Sequence, residues 1–135
     1  MSRLKELTYK LGEETFEGHS FNCLPIQGER EVLQVLVSDW EDMPIYITIT
    51  DTQILCIGYL CKKDEILDNK KAELNELLLE LNVAMPLSAF SLVDDYYVIF
   101  GALATTSSDE DIYKELITLA ANAYDAIEAI ESYLK

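Results

Sequence analysis

The chain has 135 residues, half of them hydrophobic, which is enough to enclose one core, so we expect a single α+β domain over residues 1–135. Its 25 acidic and 10 basic residues give a net charge of −15. Such a chain repels nucleic-acid phosphates and anionic lipid headgroups. Its acidity is explained either by plain solubility, which we favour, or by a basic segment of another protein as partner. Membrane insertion is not expected, because no stretch approaches the roughly 20 apolar residues of a membrane span.

Three leucines recur at helical spacing near the start of the chain: Leu4, Leu7 and Leu11. They predict a short first helix that stops at Gly12. Residues 13–30 contain glycine and proline and are interpreted as a connector, with a short extended piece at 21–24.

Three strands are predicted next, at residues 32–37, 45–50 and 54–60. The middle one alternates isoleucine with tyrosine or threonine, which is typical of a strand with one buried face. The connections are too short for crossover helices, so the three strands should form an antiparallel meander.

A second helix should begin between Asp64 and Asn69. Its leucines form one stripe, and Pro86 prevents the helix from continuing, so it should end near Asn82.

A hairpin of two strands, residues 90–93 and 96–103, should follow, with its turn at residues 94–95. The second strand is apolar at even and odd positions alike, so we expect cover on both of its faces. One face would carry Tyr96, Val98, Phe100 and Ala102, and the other Tyr97, Ile99 and Leu103.

Ser107 and Glu110 have the spacing of a capping box ahead of the most regular apolar stripe in the chain. The stripe predicts a helix of about 26 residues, long enough to cross a sheet. The expected order is therefore α-β-β-β-α-β-β-α, with a five-stranded antiparallel sheet and the long C-terminal helix packed on it. The expected core consists of Leu33, Val35, Ile47, Leu55, Ile57, Val98, Phe100, Leu116, Leu119, Ala123 and Ile127.

No pattern in the sequence points to a catalytic, metal-binding or cofactor-binding residue. The one histidine, His19, has no second ligand or base in view, and no glycine-rich loop precedes a helix. Acidic loops at 39–42 and 94–95 keep one alternative open, a small-ligand or divalent-cation-binding protein, although turn chemistry also explains them.

The three cysteines also predict the compartment. They are odd in number and lack metal spacing, and no apolar signal segment opens the chain. We expect reduced, buried thiols in a cytoplasmic protein, with Cys56 and Cys61 on opposite faces of one strand.

Four residues are candidates for binding a partner. Trp40 lies among acidic residues, so it either folds back over the end of the sheet, which we favour, or anchors an interface. Tyr97, Ile99 and Leu103 line a strand face that the long helix leaves bare if it covers the other one. We therefore expect a homodimer, or an apolar surface borrowed from another chain.

The predicted strands and helix ends resemble the YjfI-type family of small bacterial cytoplasmic proteins over nearly the whole chain. The resemblance rests on Val32-Leu33-Gln34-Val35, Met43-Pro44-Ile45-Tyr46-Ile47-Thr48, Met85-Pro86-Leu87-Ser88-Ala89-Phe90, Tyr97-Val98-Ile99-Phe100-Gly101-Ala102-Leu103 and Leu119-Ala120-Ala121-Asn122-Ala123. These are folding motifs, and the family has no established activity, so the resemblance implies no catalytic residue. The neighbourhood of the family's genes implies a PspA-like membrane-stress protein as a partner.

The order of elements also resembles the type III secretion chaperone-like fold. Members of that class are typically dimeric, acidic and non-enzymatic, and they bind segments of other proteins. The resemblance thus implies a non-enzymatic, cytoplasmic protein-binding module of chaperone or adaptor type, by analogy of fold alone.

Overall fold

The computed structural model describes residues 2–135 and contains one seven-stranded antiparallel sheet with its helices on one side. The α-helices are α1 (Arg3–Glu13), α2 (Lys71–Ala84) and α3 (Asp109–Ile130). The strands are β1 (Thr15–Phe16), β2 (His19–Ile26), β3 (Val32–Val37), β4 (Ile45–Ile49), β5 (Ile54–Lys62), β6 (Ala89–Val93) and β7 (Tyr96–Leu103). The strand order is β1-β2-β3-β4-β5-β7-β6, so β6 is an edge strand.

The α+β class, the antiparallel sheet and the long C-terminal helix are confirmed, but the count of five strands is wrong. Residues 13–30, predicted to be a connector, form β1 and β2 around a turn at Glu17 and Gly18, both of which have positive φ. Pro25 lies within β2 opposite Leu33, and β2 pairs with only the two-residue β1 on its outer side. Proline is tolerated there because β2 is almost an edge strand.

The sheet has a covered face and an open face, which follow from the register because successive side chains of a strand alternate. On the covered face, Leu33, Ile47 and Cys56 lie opposite one another on β3, β4 and β5, and each is buried. The row beside it lies on the open face and crosses six strands: Leu24, Gln34, Tyr46, Ile57, Phe100 and Ala89. Every residue of that second row is exposed or half-buried.

Helix α3 provides most of the cover, and it contacts β3, β4, β5 and β7. Its fully buried stripe contains Ile112, Leu116, Leu119, Ala120 and Ala123. Burial of one such leucine or isoleucine side chain stabilises the fold by about 1.5–3 kcal/mol. The helix begins one residue later than the predicted capping box, since Ser108 is the N-cap and its Oγ accepts from the N–H of Asp111 at 3.1 Å.

Part of the predicted core is confirmed and part is wrong. Leu33, Val35, Ile47, Leu116, Leu119 and Ala123 belong to the core. Leu55, Ile57 and Phe100 are half-buried because they lie on the open face. Val98 is fully buried by its open-face neighbours but stands outside the core cluster, and Ile127 is exposed on α3.

Candidate protein-binding surfaces

An apolar groove of about 320 Å³ lies between α2 and the edge strand β6, and we call it the edge groove. It is lined by Asn75, Leu78, Leu79, Asn82, Phe90, Ser91, Leu92 and Tyr97. Two side chains of α2 hold its walls together. The hydroxyl of Tyr97 donates to Asn75 Oδ1 at 2.6 Å, and the backbone N–H of Phe90 donates to Asn82 Oδ1 at 2.7 Å.

The hydrogen bond from the Phe90 N–H to Asn82 shows which backbone groups of β6 point to the outer edge of the sheet. Its N–H points away from β7, and in an antiparallel pair the backbone groups alternate between inward and outward. Leu92, two residues further on, therefore directs its N–H and C=O to the same outer edge. Such an edge is a template for pairing with another extended chain.

Exposed apolar side chains continue the groove outward. On α2, Leu79 and Val83 are 69% and 93% exposed, and Leu92, which lines the groove, has about half of its surface exposed. Leu87, in the loop between α2 and β6, is also exposed. Leu87 is held in a left-handed conformation, with φ 65°. Its loop is fastened by Asn122, whose amide donates to the backbone C=O of Pro86 at 2.9 Å.

The rim of the edge groove is acidic. Glu76 lies one turn before Leu79 on α2, Glu80 follows Leu79 directly, and all three side chains are exposed. From Ala72 to Tyr113 the chain contains no lysine or arginine. The groove is therefore an apolar surface in a negative field.

The open face of the sheet is the second candidate surface. It comprises Asn22, Leu24, Ile26, Val32, Gln34, Leu36, Tyr46, Thr48, Leu55, Ile57, Tyr59, Ala89, Ser91, Val93, Tyr96, Val98, Phe100 and Ala102. Three tyrosines run along its middle, with ring centroids 5.8 Å apart between Tyr46 and Tyr59 and 5.2 Å apart between Tyr59 and Tyr96. Both pairs meet edge to face, the arrangement that aromatic rings prefer.

The structure places three of the four predicted partner-binding residues on the helix side of the sheet. Tyr97 and Ile99 are buried beneath the helices, and Leu103 is half-buried against the same core. The predicted division of β7 into two faces is right, but α3 covers the face of Ile99 and leaves that of Phe100 open. Only Tyr97 reaches a candidate surface, since it lines the inner wall of the edge groove.

Trp40 folds back over the end of the sheet, as favoured above. It is partly buried against the core and stacks on His19, with ring centroids 4.9 Å apart. His19 Nδ1 lies 3.7 Å from Asp39 Oδ2, too far for a hydrogen bond. Asp39 has φ 76°, which the tight turn between Val37 and Trp40 requires.

Sequence reasoning missed a buried carboxylate on the covered face. Glu115 of α3 is 2% exposed, and none of the described groups hydrogen-bonds its Oε2. It lies over Gly101, where a Cβ would overlap the Glu115 carboxylate. Burial raises the pKa of Glu115 to about 7. Helical spacing was the available signal, because Glu115 stands three residues after Ile112 and four before Leu119.

The cysteines are free thiols. The prediction that Cys56 and Cys61 lie on opposite faces of their strand is wrong. A β-bulge between Tyr59 and Cys61 adds one residue to β5, so Cys61 points to the covered face together with Cys56. Burial raises the pKa of all three thiols, that of Cys23 and that of Cys61 to about 11, so these thiols are not activated.

Within residues 2–135, no group of three or more histidine, cysteine, aspartate or glutamate side chains has an arrangement able to hold a metal ion. Over the same residues, no helix combines the length and the apolar character that crossing a membrane requires.

Comparison with known proteins identifies the family. A family model described as an uncharacterized protein conserved in bacteria (DUF2170) matches residues 2–134. The chain belongs to the DUF2170 family. It is similar to the uncharacterized protein YjfI of Escherichia coli strain K12 and to that of E. coli O157:H7, each 32% identical over 114 residues, 82% of this chain and 84% of theirs. The predicted YjfI-type family is thus confirmed, while the chaperone-like fold stays a prediction.

Proposed function

We propose that this DUF2170 protein is a non-enzymatic, cytoplasmic protein-binding module that takes up an extended segment of another protein in the edge groove. The observation that carries the proposal is the apolar groove beside an open strand edge and under an acidic rim. The segment would combine apolar side chains with lysine or arginine. Such a role is adaptor- or chaperone-like.

Strand addition explains how the segment would be held. A bound strand would pair with the outward N–H and C=O of Leu92 on β6, and every second side chain would enter the groove. Leu79, Val83 and Leu92 would contact those side chains. The opposite side chains would face outward, and lysines there would meet the field of Glu76 and Glu80.

The absence of an enzymatic role is supported by where the titratable groups lie. Glu115 is buried under α3, out of reach of a substrate, and burial keeps the thiols protonated. His19 lies against the Trp40 ring beside an exposed aspartate. None of these groups shares a cleft with a nucleophile that it could activate.

A PspA-like protein is the specific partner that the family resemblance supplies. It enters the proposal as a source of candidate segments, whose binding can be measured in the same way as that of the synthetic peptide below.

The experiment uses a synthetic ten-residue peptide in which valine and lysine alternate, labelled for fluorescence anisotropy. The full chain should bind it in the micromolar range at 0.15 M salt. The double substitution Leu79→Ser and Val83→Ser should weaken binding at least tenfold, because both side chains are exposed contacts and their loss leaves the core intact. Leu24→Ser, an equally exposed leucine on the open face, is the matched control and should change nothing.

Two further peptides separate specific binding from simple charge attraction. Replacing the valines by serine keeps the positive charge, and replacing the lysines by glutamate keeps the apolar side chains. Equal binding of the serine peptide, or equal binding by the groove variant, would overturn the proposal.

A further inference from the structure

The open face is nearly free of charged side chains, whereas the edge groove has an acidic rim. The seven strands contain no aspartate or glutamate, although the chain has 25 acidic residues. The carboxylates lie on helices and loops, so the open face is an uncharged surface on a strongly negative protein. Charged side chains occur at its border: Lys62 at the end of β5 approaches the Tyr96 ring at 5.9 Å, and Asp94 of the β6–β7 turn lines a pocket with Tyr46, Tyr59 and Tyr96.

We infer that the open face is a self-association surface, on which a second copy of this chain packs face to face. The two sheets would form the centre of a four-layer α/β/β/α dimer with the helices outside. This surface shares Ser91 with the edge groove but is otherwise built from different residues, so the inference does not rest on the proposed function.

Symmetry favours a second copy over a charged partner. A two-fold interface brings the same patch of both chains together, so a patch of predominantly negative charge would meet another negative patch. A neutral patch escapes that repulsion. The hydroxyls of Tyr46, Tyr59 and Tyr96 both donate and accept hydrogen bonds, so two copies of the tyrosine row can satisfy each other.

The net charge of −15 does not forbid this dimer. Packed sheets stand about 10 Å apart, and each helix layer adds a similar distance on the outside. The carboxylates on the outer helix faces of the two copies are then several Debye lengths apart, since that length is about 8 Å at 0.15 M salt.

The area is also of the right order. Six strands at about 4.8 Å spacing and five residues at about 3.3 Å span roughly 500 Å² in projection, before the relief of the side chains is counted. A standard interface buries about 800 Å² on each partner. Large apolar patches of this kind are unusual on monomers.

Sedimentation equilibrium of the full chain tests the inference, from 1 to 100 µM in 0.15 M salt. We expect a species of twice 15.3 kDa. Tyr59→Glu, at an exposed position in the middle of the open face, should raise the dissociation constant at least 100-fold, with far-UV circular dichroism showing that the fold is intact. The groove variant with Leu79→Ser and Val83→Ser should remain dimeric.

Each other result overturns the inference. A 15.3 kDa species of the unmodified chain at every concentration would exclude self-association, whether or not the variant folds. A dimer that survives Tyr59→Glu, or one that the groove substitutions abolish, would place the interface elsewhere. The peptide titration tests binding in the edge groove independently of self-association. The proposed function and the proposed dimer can therefore each be wrong while the other is right.

Discussion

The two faces of the sheet both carry large apolar side chains but have different surroundings. Ile47 on β4 and Ile57 on β5 are both isoleucines in central strands, yet Ile47 is fully buried beneath the helices and Ile57 is half-buried on the open face. The hydrophobicity of a residue therefore does not by itself determine whether the residue is buried in this sheet. The helices cover only one face of the sheet. Residues on that face stabilise the monomer, and residues on the open face are available to a second molecule.

The largest expected effect tests that separation directly. Ile47→Ala should lower the free energy of unfolding by about 2–5 kcal/mol, because it leaves a cavity in the core. Ile57→Ala should cost less, about 1 kcal/mol in the monomer, since part of that side chain already contacts water. Urea unfolding measures both losses, at a protein concentration below the dissociation constant of the proposed dimer. Equal losses would mean that the open face is packed within the monomer.

The second effect concerns Glu115 and the pH. Its folded-state pKa of about 7 lies above its ordinary value of 4.5. Between these values the unfolded chain releases the proton while the folded chain keeps it, so stability should fall as the pH rises from about 4.5 to 7 and then level off. The change is on the order of 3 kcal/mol, at about 1.4 kcal/mol per pKa unit.

Urea unfolding at pH 5 and pH 8 measures that change. Glu115→Gln should flatten the difference, while Glu110→Gln, an exposed position on the same helix, should leave it in place. An unchanged slope in Glu115→Gln would show that Glu115 is ionised in the folded protein or that other groups cause the dependence.

The smallest effect tests how tightly the covered face is packed around Glu115. Gly101→Ala should cost about 1–3 kcal/mol, because the new methyl group would overlap the Glu115 carboxylate unless the side chain moves. Gly58→Ala is the matched control on the same face, where the nearest atom would be Ile99 Cγ2 at 3.5 Å, an ordinary contact. Combining Gly101→Ala with Glu115→Ala should cost less than the sum of the two single losses. Additive losses would mean that the two residues are independent.

Much of this fold follows from periodicity, and the exceptions have physical causes. The stripe of α3 and the alternation of β4 identified their elements because one face of each is buried. Strand β2 was not predicted in full, because its inward residues Phe21, Cys23 and Pro25 do not form a recognisable apolar alternation with the residues between them. Strand β7 gave the opposite difficulty, since both of its faces are apolar and no local pattern tells which one a helix will cover.

The candidate surfaces were less predictable than the fold. The edge groove needs α2 beside β6, a contact between elements that the sequence does not reveal. Tyr97, Ile99 and Leu103, proposed from sequence reasoning, lie on the covered face of the sheet, because the sequence does not show which face the helices cover. Glu115 could have been found, since a carboxylate within an apolar helical stripe is visible without a structure.

The strand order also has a kinetic consequence. Strands β1 to β5 are joined in succession through short connections, so each hairpin can form locally. The pairing of β5 with β7, from Ile54 with Leu103 to Lys62 with Tyr96, instead closes a loop that contains α2 and β6. Closing a long loop costs entropy before any contact repays it, and nonlocal pairing slows folding. We therefore expect the amino-terminal meander and the β6–β7 hairpin to form early, with their joining as the rate-limiting step.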